Sequence, residues 1–79
     1  MVTPESIKQG IEAGLGCEQV EVAGDGQHFE VLVVSGAFAG KSRIQRHKLV
    51  YAALGERMRE EIHALSMKTL TPEEFRAGG

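Results

Sequence analysis

Cysteine and long apolar runs are scarce in this 79-residue sequence, and each scarcity excludes a class of protein. Because the single cysteine, Cys17, cannot form an internal disulfide, the fold must rely on packing, which suits a reducing compartment. No uninterrupted apolar run approaches the roughly 20 residues that cross a bilayer, and the opening MVTPESIKQG lacks the segments of an export signal. We therefore expect a cytoplasmic chain without a membrane span, and no complete metal site built on Cys17 alone.

The patterns of common catalytic sites are also missing. The sequence has no HExxH, no CxxC and no nucleophile and base at a recognisable spacing. The segment GAFAGKS is similar to a phosphate-binding loop, but only three residues separate Gly36 from Gly40, where such a loop needs four. We expect no enzymatic activity, and we interpret the segment as a turn between a strand and a helix.

Composition predicts one ordinary globular domain over residues 1–79. Hydrophobic residues make up 42% of the chain and charged residues 25%, values typical of a domain with a packed core. The net charge of −2 disfavours a protein that binds polyanions over its whole surface.

The first half of the chain predicts a helix followed by a β-hairpin. Thr3 suits the cap of a helix that runs from Pro4 to about Ala13. Residues 18–23 alternate like a half-exposed strand, and the GDG that follows favours a tight turn. The run from Phe29 to Ser35 is apolar on both faces, so we expect it to be the more central strand.

The second half predicts a long helix, a third strand and a short helix. Ser42 can cap a helix whose apolar positions repeat at helical spacing, namely Ile44, Tyr51, Leu54, Met58 and Ile62. The segment HALSMKTL alternates like a strand, and Thr71 and Pro72 suit the start of a terminal helix that carries Phe75. The long helix allows the third strand to lie parallel to one hairpin strand. We therefore predict an α+β fold of order αββαβα, with a three-stranded mixed sheet and its helices packed on one face.

The three histidines are the candidate metal ligands. Imidazole binds metals near neutral pH, although scattered histidines are also ordinary composition. His28 follows the GDG turn and His63 lies between the long helix and the third strand, whereas His47 falls among the apolar positions of the helix and favours a packed structural role. If the fold brings His28 and His63 to one edge, they supply two ligands of a site that a partner completes.

A basic run at the start of the long helix is the other candidate site. Its members are Lys41, Arg43, Arg46, His47 and Lys48. Three interpretations stay open: a solvated helix face, phosphate contacts to a nucleic acid, and docking of an acidic protein surface.

Two long segments resemble the BolA family. FAGKSRIQRHKLVY resembles the family's F-x-G-x-S-x-x-x-R-H-x-x-V-Y, and HALSMKTLTPEEF resembles its H-A-L-x-x-K-T-x-T-P-x-E-W, with Phe75 in the place of tryptophan. The likeness covers about residues 5 to 75. It implies a fold similar to class II KH domains, in which the Phe-x-Gly-x-Ser segment is a structural turn.

The resemblance also implies a function. Members of the family are partners of monothiol, CGFS-type glutaredoxins, with which they share a 2Fe-2S cluster together with glutathione, or form a cluster-free complex, in iron-sulfur delivery and iron-status signalling. The family's histidine of H-A-L corresponds to His63, and the ligand between its first two strands corresponds to His28. We expect no cofactor in the isolated chain. Some relatives regulate transcription, so DNA binding, a metal-free adaptor role and a weak homodimer stay open.

Overall fold

The structure is a computed structural model that describes residues 3–25, 28–55 and 64–78. Its elements are α1 (Pro4–Gly14), β1 (Gln19–Gly24), β2 (His28–Val34), a 3₁₀ turn (Gly36–Phe38), α2 (Arg43–Leu54), β3 (Ala64–Leu70) and α3 (Pro72–Arg76). This order confirms the predicted αββαβα arrangement. No helix among the described residues is long and apolar enough to cross a membrane. The candidate ligand His63, and the predicted helix positions Met58 and Ile62, lie outside the described residues.

Each described helix begins at a hydroxyl residue that accepts a hydrogen bond from a backbone N–H of the first turn. The capping pairs are Thr3 with Ser6 at 3.1 Å, Ser42 with Gln45 at 3.2 Å, and Thr71 with Glu74 at 3.1 Å. In all three pairs the later side chain accepts a bond from the cap's own N–H, so two free donors are satisfied together. The sequence therefore fixes where these helices begin.

The sheet has the strand order β1-β2-β3. β1 and β2 are antiparallel, and β2 and β3 are parallel, so the sheet is mixed and β2 is central, as predicted. The parallel register pairs His28 with Ala64 and Val34 with Leu70. β2 and β3 therefore begin at the same end of the sheet.

The hydrophobic core lies between one face of the sheet and the helices α1 and α2. Its buried members are Ile7, Ile11, Val20, Phe29, Val31, Val33, Phe38, Val50 and Leu54. Burying each such side chain contributes about 1.5–3 kcal/mol before the opposing entropy is counted. The opposite face carries more polar residues, among them Glu21, Glu30, Ser66 and Lys68. At one end of that face, Phe75 of α3 lines a small depression with Leu32 and Leu70.

The two core helices approach each other closely at Gly14. A Cβ atom at this position would lie 2.8 Å from the Cα of Ala53 in α2. Real Cβ atoms are not found so close to backbone, so the contact between α1 and α2 requires glycine here.

The predicted apolar stripe of α2 is wrong for two of its residues. Ile44 is 69% exposed and Tyr51 is 39% exposed, whereas Val50 and Leu54 are buried. Ile44 and Tyr51 are seven positions apart and share one side of the helix, while Val50 and Leu54 are four apart and share another. The side of α2 that carries Val50 and Leu54 packs on α1 and the sheet. The periodicity of apolar residues in α2 does not by itself show which of the two sides is buried.

Candidate functional site

His28 begins β2, and contacts with Asp25 hold its backbone. The His28 N–H donates to Oδ1 of Asp25 at 2.9 Å, and the Asp25 N–H donates to the His28 carbonyl at 3.2 Å. His28 itself is exposed. The residue therefore combines a fixed backbone with an imidazole that a partner can reach.

Gly24 is the other residue that shapes this end of the hairpin. It pairs with Phe29 in the antiparallel register. A Cβ at Gly24 would lie 2.6 Å from the His28 carbonyl oxygen and would overlap the buried ring of Phe29. A side chain at residue 24 would therefore displace the start of β2, which carries His28.

The parallel register relates His28 to the second predicted ligand only indirectly. His28 pairs with Ala64, the first residue of β3, and His63 directly precedes Ala64 in the sequence. Because His63 lies outside the described residues, the joint ligand role of His28 and His63 stays a prediction. Within residues 3–25, 28–55 and 64–78, no group of three or more His, Cys, Asp or Glu side chains could hold a metal ion.

Cys17 is a structural residue. It is half-buried against the core, and its Sγ donates to the carbonyl of Leu15 at 3.2 Å. Burial raises the pKa of the thiol, and the charge of Glu12 raises it further. A protonated thiol is a poor metal ligand and a poor nucleophile.

The basic residues at the start of α2 line a depression of about 550 Å³ beside β3. We call it the basic groove. One wall is formed by Lys41, Arg43, Arg46 and His47, and the other by residues 67–70. Lys48, the fifth member of the predicted basic run, is exposed but does not contribute to this lining.

Arg46 differs from the other members because its guanidinium contacts the fold itself. Its Nε donates to the Lys41 carbonyl and its Nη1 to the Thr69 carbonyl, both at 3.0 Å. The guanidinium carbon lies 5.9 Å from the centre of the buried Phe38 ring, within the range of a cation–π contact. The Arg46 side chain is only 14% exposed, so most of its hydrogen-bonding capacity serves the structure.

Glu74 neutralises Arg46 in the basic groove. The Arg46 guanidinium donates hydrogen bonds to the Glu74 carboxylate, and the Thr71 N–H donates another; these bonds lower the pKa of Glu74 to about 2. The carboxylate is therefore charged at neutral pH. The described cations of the groove that remain without a carboxylate partner are Lys41, Arg43 and Lys68.

The segment GAFAGKS is a turn, as interpreted from the sequence. Ser35 accepts a hydrogen bond from the Ala37 N–H at 3.1 Å and donates one to the Gly16 carbonyl. Gly36–Phe38 forms the 3₁₀ turn, and the Phe38 ring is fully buried. Ser42 then caps α2, so these residues serve the connection between β2 and α2.

The sequence interpretation missed Lys68. This residue lies in β3 and lines the basic groove from the strand side. The sequence does contain a signal for this position, because the alternating pattern of the third strand assigns Lys68 to the same face as Ala64 and Leu70. What the pattern could not give is the pairing of β3 with β2, which brings Lys68 close to the start of α2.

Comparison with known proteins identifies the family. The family model described as BolA-like protein matches residues 2–74. The chain is 42% identical over 70 residues to the acid stress protein IbaG of Escherichia coli, covering 87% of this chain and 83% of that protein.

Solved structures agree with this assignment. A bolA protein homologue from Coxiella burnetii superposes with a TM-score of 0.87 at 51% identity, covering 96% of this chain and 99% of that one. The BolA domain of SufE1 from Arabidopsis thaliana superposes with a TM-score of 0.78 at 35% identity, covering 90% and 93%. The chain therefore belongs to the BolA-like protein family.

Proposed function

We propose that this chain is a non-enzymatic partner of a monothiol, CGFS-type glutaredoxin, with which it shares or transfers a 2Fe-2S cluster. Family membership across residues 2–74 supports the class of protein. The observation that carries the site is the register of β2 and β3, which pairs exposed His28 with Ala64, the residue that follows His63. His28 and the residue that follows His63 therefore lie side by side at one end of the sheet.

The donor set suits a cluster that two proteins hold together. Among the described residues no group of three or more His, Cys, Asp or Glu side chains could hold a metal ion, and in this proposal a partner supplies the further ligands. A glutaredoxin cysteine and a glutathione thiolate would hold one iron, and His28 and His63 would hold the other. Two imidazoles in place of two thiolates raise the reduction potential of a 2Fe-2S cluster. Neutral ligands also bind less strongly than thiolates, which favours release of the cluster to a client.

Anaerobic reconstitution tests the proposal. The chain is mixed with a CGFS-type glutaredoxin, glutathione, iron and sulfide, and the complex is followed by absorption and circular dichroism. We expect charge-transfer bands distinct from those of the glutaredoxin alone. His63→Ala and His28→Ala should each remove the distinct bands, while His47→Ala should keep them. Unchanged spectra for both ligand variants would refute the shared site.

A second candidate function is nucleic-acid binding through the basic groove. Lys41, Arg43 and Lys68 are the cations that favour it, since phosphate contacts depend on charges without protein partners. Anisotropy with labelled duplex and single-stranded oligonucleotides between about 50 and 200 mM salt tests it. Phosphate contacts predict affinity that falls steeply with salt and weakens in Lys41→Gln. An affinity that changes neither with salt concentration nor in Lys41→Gln argues against this function.

A further inference from the structure

β3 is an edge strand in the part of the chain that the structure describes. It pairs with β2 on one side, and the sheet order ends with it. An edge strand presents backbone N–H and C=O groups that no neighbouring strand satisfies. The free edge of β3 is therefore a template for one more strand.

Two hydrogen bonds show which residues of β3 face that free edge. The Leu70 carbonyl accepts a hydrogen bond from the Ser35 N–H at 2.9 Å, so the backbone groups of Leu70 face β2. The Thr69 carbonyl accepts from Arg46 at 3.0 Å, on the other side. The backbone groups of successive residues in a strand face alternate sides. The N–H and C=O groups of Leu65 and Met67 therefore face the free edge, as the Thr69 carbonyl does.

Positive charge lies on both sides of this edge. α2 covers the core face of the sheet, and both Arg43 in its first turn and Lys41, which precedes its cap Ser42, line the basic groove. Lys68 extends from the opposite face of β3, as its pairing with Leu32 requires. Glu74 is engaged with Arg46, so it does not neutralise these three cations.

We propose that an extended acidic segment of a partner protein binds in the basic groove as a fourth strand on β3. The free backbone groups of Leu65 and Met67 pair with the peptide's amides, a mode in which main-chain bonds supply affinity and flanking side chains supply specificity. A single-stranded nucleic acid has no repeating amides, so it would leave these groups without backbone partners. The proposal does not depend on a cluster, because neither histidine ligand takes part.

The geometry of the basic groove also predicts which peptide sequence binds best. Side chains of an added strand alternate between the α2 side and the open side of the sheet. Since cations lie on both sides, acids at consecutive positions each meet a positive charge. With about 3.3 Å per residue, five or six residues span the edge from Leu65 to Leu70.

Nuclear magnetic resonance titration of the ¹⁵N-labelled chain tests the proposal. The probe is blocked hexaglutamate, and its matched control is the same peptide with every amide N-methylated, which keeps the charge and removes the N–H donors. We expect the largest amide shifts at Leu65, Met67 and Thr69. The N-methylated peptide should bind about tenfold more weakly or worse, because two or three backbone bonds are lost.

Substitutions separate the charge from the backbone. Lys68→Gln and Arg43→Gln should each weaken hexaglutamate binding by about two- to fivefold, whereas Lys8→Gln on the exposed side of α1 should not change it. Equal binding of the two peptides, or shifts that fall outside β3 and the start of α2, would overturn the proposal. Tighter binding of hexathymidylate than of hexaglutamate at the same amides would assign the groove to nucleic acid instead, and the peptide proposal would fail.

Discussion

Arg46 and Glu74, 28 positions apart in the sequence, form a two-pronged ion pair that joins the start of α2 to α3. Nη1 of Arg46 lies 2.8 Å from Oε1 of Glu74, and Nη2 lies 3.3 Å from Oε2. The same guanidinium also holds the Thr69 carbonyl at the end of β3. One side chain therefore links the start of α2, the end of β3 and α3.

We expect Arg46→Lys to destabilise the fold although it keeps the charge. A lysine ammonium cannot reproduce the planar fork that contacts a carboxylate and two carbonyls together. Loss of the carbonyl contacts should cost about 1–3 kcal/mol of unfolding free energy in urea titrations. Lys48→Gln, on the exposed part of α2, should change the unfolding free energy by no more than about 0.5 kcal/mol. Equal stability of Arg46→Lys and the parent would show that these contacts are dispensable.

Acid should reveal the contribution of Glu74. Hydrogen bonds from Arg46 and Thr71 lower its pKa to about 2 in the folded chain, whereas an unfolded glutamate titrates near pH 4.3. Between these values the unfolded state binds more protons, so this contribution to stability is complete above about pH 4.3 and is lost as the pH falls through about 2.

The measurement is the midpoint of thermal unfolding from pH 5 to pH 2. We expect Glu74→Gln to be less stable than the parent at pH 5, and the difference to shrink on acidification. Glu73→Gln is the matched control, because Glu73 lies in the same helix without an ion pair among the described residues. A difference between Glu74→Gln and the parent that is constant with pH would contradict the ion pair.

Gly14→Ala should destabilise the protein, whereas Gly16→Ala should not. The added methyl at Gly14 meets Ala53 at 2.8 Å, but at Gly16 it meets nothing within 4 Å. Overpacking costs about 1–3 kcal/mol, which exceeds the gain of up to about 1 kcal/mol in helix propensity at Gly14. Chemical denaturation of both variants tests this, and a stabilised Gly14→Ala protein would show that α1 and α2 can move apart at little cost.

The buried side of α2 makes a similar matched pair. Leu54→Ala should cost about 2–5 kcal/mol, as buried leucines do. Ile44→Ala should cost less than about 0.5 kcal/mol, because its side chain is mostly in water. Equal losses of unfolding free energy for the two variants in urea titrations would indicate that Ile44 is buried, which would contradict the observed packing of α2.

The starts of the helices and the hairpin were predictable because local chemistry determines them. Thr3, Ser42 and Thr71 each form the capping pair that their sequences indicate. The two strands predicted on either side of Asp25, β1 and β2, pair antiparallel, as predicted. In these cases the interacting groups are only a few residues apart.

The buried side of α2 and the position of Arg46 were not predictable in the same way. Whether Ile44 or Val50 faces the core depends on where α1 and the sheet lie. Arg46 resembles any solvated member of a basic run until Glu74 and Thr69, more than 20 positions later, are brought beside it. The basic groove likewise exists only because the parallel pairing of β3 places Lys68 beside the start of α2.

Pulsed electron paramagnetic resonance most directly tests the shared-cluster proposal. The reduced complex is prepared with the chain carrying ¹⁵N-labelled histidine and with unlabelled glutaredoxin and glutathione. We expect hyperfine couplings from two ¹⁵N imidazole nitrogens, with one set missing in His28→Ala and the other in His63→Ala. His47→Ala should leave both sets in place. A cluster-bound complex without any ¹⁵N coupling would contradict ligation by this chain.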